Sequence, residues 1–386
     1  MSYIDIVSGG TSYDASTIRV DAHADYGYRI CIEEHLFSVD NSALADCIAK
    51  RMCLVVVSPT IDQLYGAQVR AYFAHHLDPA AYRVIVCASG EQNKTLDTVV
   101  SLCAQAKAFA LDRDALFIAI GGGIILDMVG FAASMYRRGT KFIKVPTTLV
   151  GQVDVAVGVK TGVNAFRSKN ILGNYYPAYR TFNDPHFLTT LPVRELCCGM
   201  AEVIKMALVC DAMLFEQIED AYRSNAELDL ARLDYAIYHR AMVRMVEELQ
   251  PNLLEANLER VVDFGHTFSM AFEIDSDHQI LHGEAVAIDM ALSCCIARTL
   301  GLLAPDACDR AIRSILNTGL SITAPTGCTI DTLKRSVAEV QLHRKAVNLV
   351  LPTAIGEAMF VKKAETLSEM VLQTSLDMLA DYAGKA

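Results

Sequence analysis

Short runs of apolar and β-branched residues recur through the first half of the chain, at intervals that leave room for a helix between each pair. They are CLVVVS (Cys53–Ser58), RVIVCAS (Arg83–Ser89), ALFIAIGGG (Ala115–Gly123) and KFIKVPTT (Lys141–Thr148). Strands spaced in this way predict a parallel sheet joined by crossover helices. Beyond about Asp184-Pro185 the pattern changes to apolar stripes of helical period, clearest over Leu191–Cys210, Leu233–Leu249, His282–Leu300 and Asp331–Gln341. Gly301 stops one of these helices, and Pro251 bends or ends another. The pattern predicts an α/β domain over residues 1–185 and a mainly α-helical domain over 186–386, without internal repeats.

Composition narrows the partners. With 386 residues, 52% of them hydrophobic, the chain can bury two cores. A formal charge of −11 and the absence of any Lys/Arg run argue against nucleic acid, whose phosphates are bound by clustered cations. The twelve cysteines lie in apolar runs with no CxxC, which reads as reduced thiols in a cytoplasmic protein. No run approaches the roughly 18 apolar residues of a membrane span.

Three polar residues interrupt the apolar helical stretches: Glu202 in GMAEVIK, His266 in DFGHTFS and His282 in LHGEAV. One oxygen and two nitrogens suit Zn²⁺ and its neighbours, and three ligands that leave a position open describe a catalytic rather than a structural site. The bland alternatives are a Glu202–Lys205 intrahelical ion pair and two hydrogen-bonded core histidines. Asp263, Glu273 and Glu284 stand nearby as supporting or substrate-binding groups. Gly121-Gly122-Gly123 follows a predicted strand and opens a helix carrying Asp127, a place where phosphates can approach backbone N–H groups. A tight turn without ligand explains the same glycines. The loop Ser89–Lys94 is a second polar loop at the same sheet edge. Asp154, Lys160, Asn164, Lys169 and Asn170 form a further group, preceded by Arg137-Arg138-Gly139, that reads either as a phosphate and hydroxyl clamp or as a solvated loop.

The motifs GGGIILDMVGFAASMYRRG, VPTTLVGQVD, KTGVN, KNILG, LTTLPVRE, GMAEVIK, DFGHTFS and LHGEAV, in this order over about Leu54 to Val361, resemble the sugar phosphate cyclases related to 3-dehydroquinate synthase. The resemblance implies a Rossmann-like NAD-binding N-terminal domain, a helical metal-binding C-terminal domain and an active site between them. It implies Glu202, His266 and His282 as ligands of Zn²⁺ or Co²⁺. It places Glu91, Lys94, Gly122, Gly123, Asp127, Thr147, Thr148, Lys169, Phe187, Thr190, Leu191 and Glu195 along NAD. Asp154, Lys160, Asn170 and Lys205 match substrate-contacting positions. Arg138 matches an arginine that supports phosphate binding, across the interface of a homodimer.

Within that family the chain departs from dehydroquinate synthases, which read NFGHTFGH where this chain has Asp263 and Met270. A substrate carboxylate facing Asp263 meets a like charge, at a cost of about 1–4 kcal/mol. DFGHTFS, LHGEAV, KTGVN and His343 of LHRKAVNLVLP are most similar to 2-epi-5-epi-valiolone synthases, although Met270 replaces their usual proline and Ser58 an acidic residue. The implied reaction cyclises sedoheptulose 7-phosphate by transient oxidation at C5, phosphate elimination, reduction and an intramolecular aldol step. Other sugar phosphate cyclases (desmethyl-4-deoxygadusol, 2-epi-valiolone or 3-dehydroquinate synthases) and a metal-dependent NAD polyol dehydrogenase are the alternatives.

Overall fold

The computed structural model describes residues 4–13, 16–166, 168–224, 234–277, 279–324, 328–344 and 346–384. The chain forms two compact units, Met1–Thr147 with Gly158–His186, and Thr148–Val157 with Phe187–Ala386. In the first unit, β1 (Ile4–Tyr13) and β2 (Ile18–Tyr26) make an antiparallel hairpin. There follow β3 (Ile30–Ile32), α1 (Ala43–Ile48), β4 (Cys53–Val57), α2 (Pro59–His76), β5 (Tyr82–Val86), α3 (Leu96–Ala108), β6 (Leu116–Gly121), α4 (Gly123–Met135) and β7 (Lys141–Pro146). β8 (Lys160–Ala165), β9 (Ser168–Tyr175) and β10 (Arg180–Asn183) complete the unit.

Six strands form one sheet in the order β3-β10-β7-β6-β4-β5. Its pairings are parallel, with Val55 opposite both Val84 and Ile118, and Ile118 opposite Ile143. β4 and β6 are buried along their whole length, because helices cover both faces of a parallel sheet; this is why they read as unbroken apolar runs. The four strands expected from the sequence are β4 to β7. The order reverses between β4 and β6, and ligands of such sheets bind where the carboxyl ends of the strands diverge. Ser58 lies at this edge and caps α2, accepting a hydrogen bond from Ile61 N at 3.2 Å.

One stretch read from sequence as a candidate loop is an antiparallel pair. β8 faces β9 with Lys160 opposite Tyr175 and Gly162 opposite Gly173. A Cβ on Gly173 would lie 2.2 Å from Thr161 O, so the glycines that suggested a loop instead permit a close backbone pairing.

The second unit contains α5 (Val193–Cys210), α6 (Ala212–Ser224), α7 (Tyr235–Leu249), α8 (Ser269–Asp275), α9 (His282–Thr299), α10 (Pro305–Asn317) and α11 (Ile330–Arg344). The antiparallel pair β11 (Leu349–Ala354) and β12 (Glu357–Val361) precedes α12 (Glu369–Ala383). Gly301, at φ 72°, ends α9 as expected. The buried helices α5 and α9 pack against each other at Gly283, where a Cβ would lie 2.2 Å from Cys198 O. Residues 148–157, assigned by sequence to the first domain, belong to the second unit. Leu149 occupies the space that a Cβ on Gly199 would need, and Gln152 Oε1 accepts from Tyr238 Oη at 3.0 Å.

At the junction of α5 and α6 the buried Asp211 carboxylate accepts from Arg240 Nε at 2.6 Å, Arg244 Nε at 2.9 Å and Leu214 N at 3.1 Å. Burial pushes its pKa up, but the two arginines and the helix N–H outweigh this and hold it at about 2. A carboxylate whose folded pKa is depressed adds stability that is complete above its unfolded pKa of about 3.9 and disappears as pH falls towards the folded value. Asp211→Asn is expected to lower unfolding free energy by about 2 kcal/mol at pH 7. In urea titrations this difference from the unaltered protein should shrink between pH 4 and pH 2; a difference independent of pH there contradicts the assignment.

Candidate active site

The second unit brings the three predicted metal ligands together. Glu202 lies midway along α5, His266 follows the turn Val261–Asp263, and His282 begins α9. One donor atom from each lies within 4.8 Å of the others. Glu202 is 1% exposed, and its two oxygens face different neighbours. Oε1 stands 3.4 Å from His282 Nε2 and 3.8 Å from His266 Nε2, and Oε2 stands 2.5 Å from Lys205 Nζ. The ion pair considered as a rival to the metal site is therefore one side of it.

The imidazoles are oriented by their other nitrogens. His266 Nδ1 lies 3.0 Å from Phe264 O, which can only accept, so Nδ1 carries the proton and Nε2 keeps its lone pair. His282 Nδ1 lies 3.0 Å from Glu273 Oε1, the carboxylate–histidine arrangement that orients metal ligands. Neither Glu202 oxygen has an aligned hydrogen-bond partner among the described residues, an expensive state for a buried carboxylate. Two inward imidazole nitrogens and one under-satisfied carboxylate fit a divalent cation with a position left open.

Charge is balanced tightly here. Burial pushes the Glu202 carboxyl up, but Lys205 and the imidazoles prevail and hold it well below the usual carboxylate range. For Lys205, 2% exposed, burial acts downward, but Glu202 and Asp154 outweigh it and raise the pKa. Lys205 is thus a fixed ammonium rather than a base. His266 is pushed down to about 4 by burial and by Lys205. Burial also acts downward on His282, where Glu202 and Glu273 prevail and raise it; the ring keeps 42% of its side-chain surface open to solvent, which tempers the effect of burial.

A second polar cluster lies in the first unit. Lys94 Nζ, buried, donates to Asp127 Oδ2 and to Asn170 Oδ1, both at 2.6 Å. Glu91 accepts from Asn164 Nδ2 at 2.7 Å and has Lys169 Nζ at 3.8 Å, while Asn170 N donates to Asn164 Oδ1 at 2.9 Å. Glu91, Lys94, Asp127, Lys169 and Asn170 are thus brought together, with Asn164 at the hub. Gly122 is the N-cap of α4 with no side chain capping it, which leaves first-turn N–H groups for an anion. Thr147 N donates to Gly121 O beside this turn, at 3.0 Å. The helix end and the polar loop fit a dinucleotide's phosphates and hydroxyls.

Other expected residues fall elsewhere. Thr148 belongs to the second unit, where its Oγ1 accepts from Gly151 N at 3.0 Å. Phe187, Thr190 and Leu191 lie in and just after the turn Pro185–Thr190, and Glu195 in the first turn of α5. Lys160 opens β8 and is exposed, its apolar sequence neighbours Val157, Val159 and Val163 being buried. Arg138 is also exposed, and it lies beyond the carboxyl end of α4, a helix of 13 residues and hence about 20 Å from the Gly122 turn. The chain itself does not bring Arg138 to that cluster. His343 is in the last turn of α11, and its side chain lies outside the described residues.

The sequence matches the N-terminal 3-dehydroquinate synthase family over residues 84–198 and the C-terminal 3-dehydroquinate synthase family over 199–345. It is 45% identical over 375 residues to a 2-epi-5-epi-valiolone synthase of Streptomyces glaucescens, covering 96% of each chain. The chain belongs to the 3-dehydroquinate synthase family. A 2-epi-5-epi-valiolone synthase (ValA) of Streptomyces hygroscopicus subsp. jinggangensis 5008, solved with NAD⁺ and Zn²⁺ bound, superposes with a TM-score of 0.87 at 38% identity, covering 94% of this chain and 99% of that one. A demethyl-4-deoxygadusol synthase of Trichormus variabilis is 32% identical over 93% of this chain and 89% of its own.

In this chain Asp263 has a partner that sequence reasoning missed. Arg260 Nη2 donates to both Asp263 oxygens, at 2.6 and 2.8 Å, and Arg260 also pairs with Glu255. Two carboxylates share one guanidinium, so this group of three side chains keeps a net charge of −1. Met270 is 52% exposed on α8. Glu284 is structural: its carboxylate takes Arg194 Nε and Nη2 at 2.6 and 2.7 Å and Leu281 N at 2.8 Å. Asp289, fully buried on α9, accepts from Phe268 N at 2.5 Å and Ser269 N at 2.9 Å, fixing the backbone just after His266. Its signal was a lone acid inside an apolar helix.

Proposed function

We propose that this chain is a sugar phosphate cyclase of the 2-epi-5-epi-valiolone synthase kind, converting sedoheptulose 7-phosphate to 2-epi-5-epi-valiolone with release of inorganic phosphate. The observation that carries the reading is the Glu202, His266 and His282 cluster, with Lys205 on its outer oxygen, in a chain 45% identical over 96% of its length to a synthase of that name. Bound NAD supplies reversible hydride acceptance at C5 of the sugar. Glu202, His266 and His282 would hold a Zn²⁺ or Co²⁺ ion, which would supply Lewis acidity to the substrate.

The chain's own residues orient and neutralise. Lys205, held as an ammonium between Glu202 and Asp154, stabilises negative charge on substrate oxygens and does not remove protons. Lys160 and Asn170 take the phosphate, whose own oxygen accepts the C6 proton as the C6=C7 double bond forms and the C7–O bond breaks, the oxygen leaving with the phosphate. Asp154, the Asp263 carboxylate and His343 bind hydroxyls. Gly122, Gly123, Asp127, Lys94, Glu91, Thr147 and Lys169, with Thr148, Phe187, Thr190, Leu191 and Glu195, hold NAD. Because Arg138 lies beyond the far end of α4 from the Gly122 turn, we assign its phosphate contact to the second copy of a homodimer. Twelve free thiols support a reducing, cytoplasmic setting, and no helix among the described residues is long and apolar enough to cross a membrane.

The metal- and NAD-loaded protein is expected to turn sedoheptulose 7-phosphate into a C7 cyclitol, followed by NMR and mass spectrometry, with phosphate release and no net NADH. It should leave 3-deoxy-arabino-heptulosonate 7-phosphate unchanged. Dehydroquinate from the second compound, or stoichiometric NADH from either, rejects the reading. Asp263→Asn should lower turnover of the first substrate at least about tenfold, as a partnered carboxylate in a hydroxyl-binding position is lost.

A further inference from the structure

Apart from the residues assigned to catalysis, α6 and α10 of the second unit enclose a cavity of about 320 Å³ whose walls carry three arginines, Arg223, Arg310 and Arg313. In a chain of net charge −11 such a concentration of cations needs an explanation. Part of it is structural: Glu219 accepts from Arg310 Nη2 at 2.6 Å and Nε at 3.2 Å, and Arg223 pairs with Glu219 at 3.4 Å and with Asp220 at 3.0 Å. Arg313 has no carboxylate in reach among the described residues; its Nε donates to Asp309 O of its own helix at 3.2 Å. Glu219 is the one carboxylate in the cavity lining and both its oxygens are engaged by Arg310, on which Glu216 and Asp306 also act, while Asp220 pairs with Arg223; among the described residues Arg313 is thus the lining cation left without a carboxylate.

The floor carries a second, independent signal. Ser314 is 3% exposed, and its Oγ meets no hydrogen-bond partner among the described residues; Tyr222 Oη, also buried, meets none either. Both line the same cavity, together with Asn317. Burial pushes the Tyr222 phenol up, so it stays a proton donor at neutral pH. An orphaned buried hydroxyl forfeits a hydrogen bond that a ligand oxygen accepting from it would restore. A pure ion-pair network would need neither the surplus cation nor two inward hydroxyls.

We propose that this cavity binds a small phosphate ester: its phosphate sits on Arg313 and Arg223 and accepts from Ser314 Oγ, and its hydroxyl end meets Tyr222 and Asn317. Guanidinium forks match phosphate oxygens, and the volume lies at the small end of ligand pockets. Glu219, although it lines the cavity, is turned to Arg310 and leaves the anion the open arginine edges. The site shares no residue with the metal cluster or the Lys94 cluster, so it does not rest on the cyclase reading.

The test is hydrogen–deuterium exchange on the metal- and NAD-loaded full chain, titrated with glycerol 3-phosphate and, separately, with inorganic phosphate. Peptides from 212–224 and 305–317 are expected to gain protection at millimolar ligand. Half-saturation should move at least tenfold higher in Arg313→Gln, with basal turnover unchanged, and Arg223→Gln should move it in the same direction. Protection by the ester at lower concentration than by free phosphate assigns an ester site; equal potency assigns a site for the oxyanion alone and removes the proposed hydroxyl contacts. No protection from either compound, or protection of equal affinity in Arg313→Gln, overturns the proposal.

Discussion

Glu202→Gln should cost the protein both its reaction and part of its stability. The substitution removes the negative charge that faces two imidazole nitrogens, so bound metal falls below stoichiometric and turnover drops by more than about a hundredfold. It also removes the charge of Lys205's 2.5 Å partner inside a buried helix face, leaving Asp154 and Asp263 as the remaining countercharges. Breaking a buried pair on one side typically costs about 3–5 kcal/mol, and Asp154 keeps the expected loss near the lower end. Denaturant unfolding, elemental analysis of the metal and phosphate release measure the three quantities together. The double variant Glu202→Gln/Lys205→Met should recover most of the stability and none of the turnover. If Glu202→Gln keeps a full complement of metal and normal turnover, the ligand assignment fails.

Gly283→Ala is the second large effect. Gly283 follows His282 at the point where α9 meets α5, and an added methyl would stand 2.2 Å from Cys198 O and 2.4 Å from Cys198 Cα. Backbone atoms in mid-helix cannot step aside locally, so the two helices must separate. Overpacking of this kind typically costs about 1–3 kcal/mol or more. α5 carries Glu202 four residues after Cys198 and α9 carries His282 one residue before the methyl, so the same separation pulls the two ligands apart. Metal affinity should fall at least about tenfold, read by competition with a chelator, together with a lower unfolding midpoint. A destabilised protein with unaltered metal affinity would mean that the helix contact does not set the ligand spacing.

What the sequence exposed and what it hid follow from the range of the interactions. The runs CLVVVS, RVIVCAS, ALFIAIGGG and KFIKVPTT were legible because both faces of a central parallel strand are buried, and such a strand needs no partner in view to be recognised. The β8 and β9 pair was not, since the cations, amides and glycines Lys160, Gly162, Asn164 and Gly173 are residue types that also make polar loops. Glu202 and His282 could be picked out as polar residues in apolar helices, and His266 as one in the apolar run that leads into α8. Their supports were harder: Asp289 acts on Phe268 and Ser269 from 21 and 20 residues away, and Arg260 bears on the site through the Asp263 carboxylate it grips. The lodging of Leu149 against Gly199 is a contact between residues 50 apart, to which no local pattern points.

That last contact bears on how these proteins can be taken apart or recombined. Because residues 148–157 leave the sheet-bearing unit and pack with α5 and α7, the chain passes between the two units three times, after Thr147, after Val157 and after His186. A fragment ending at His186 would carry Leu149, Gln152 and Val153, all buried in the intact chain, without Gly199 and Tyr238 to cover them. The complementary fragment would lack the side chain that fills the notch at Gly199. Chimeras that exchange the nucleotide-binding half between relatives must therefore take residues 148–157 from the donor of the helical half, or bring Gly199 and Tyr238 along with them.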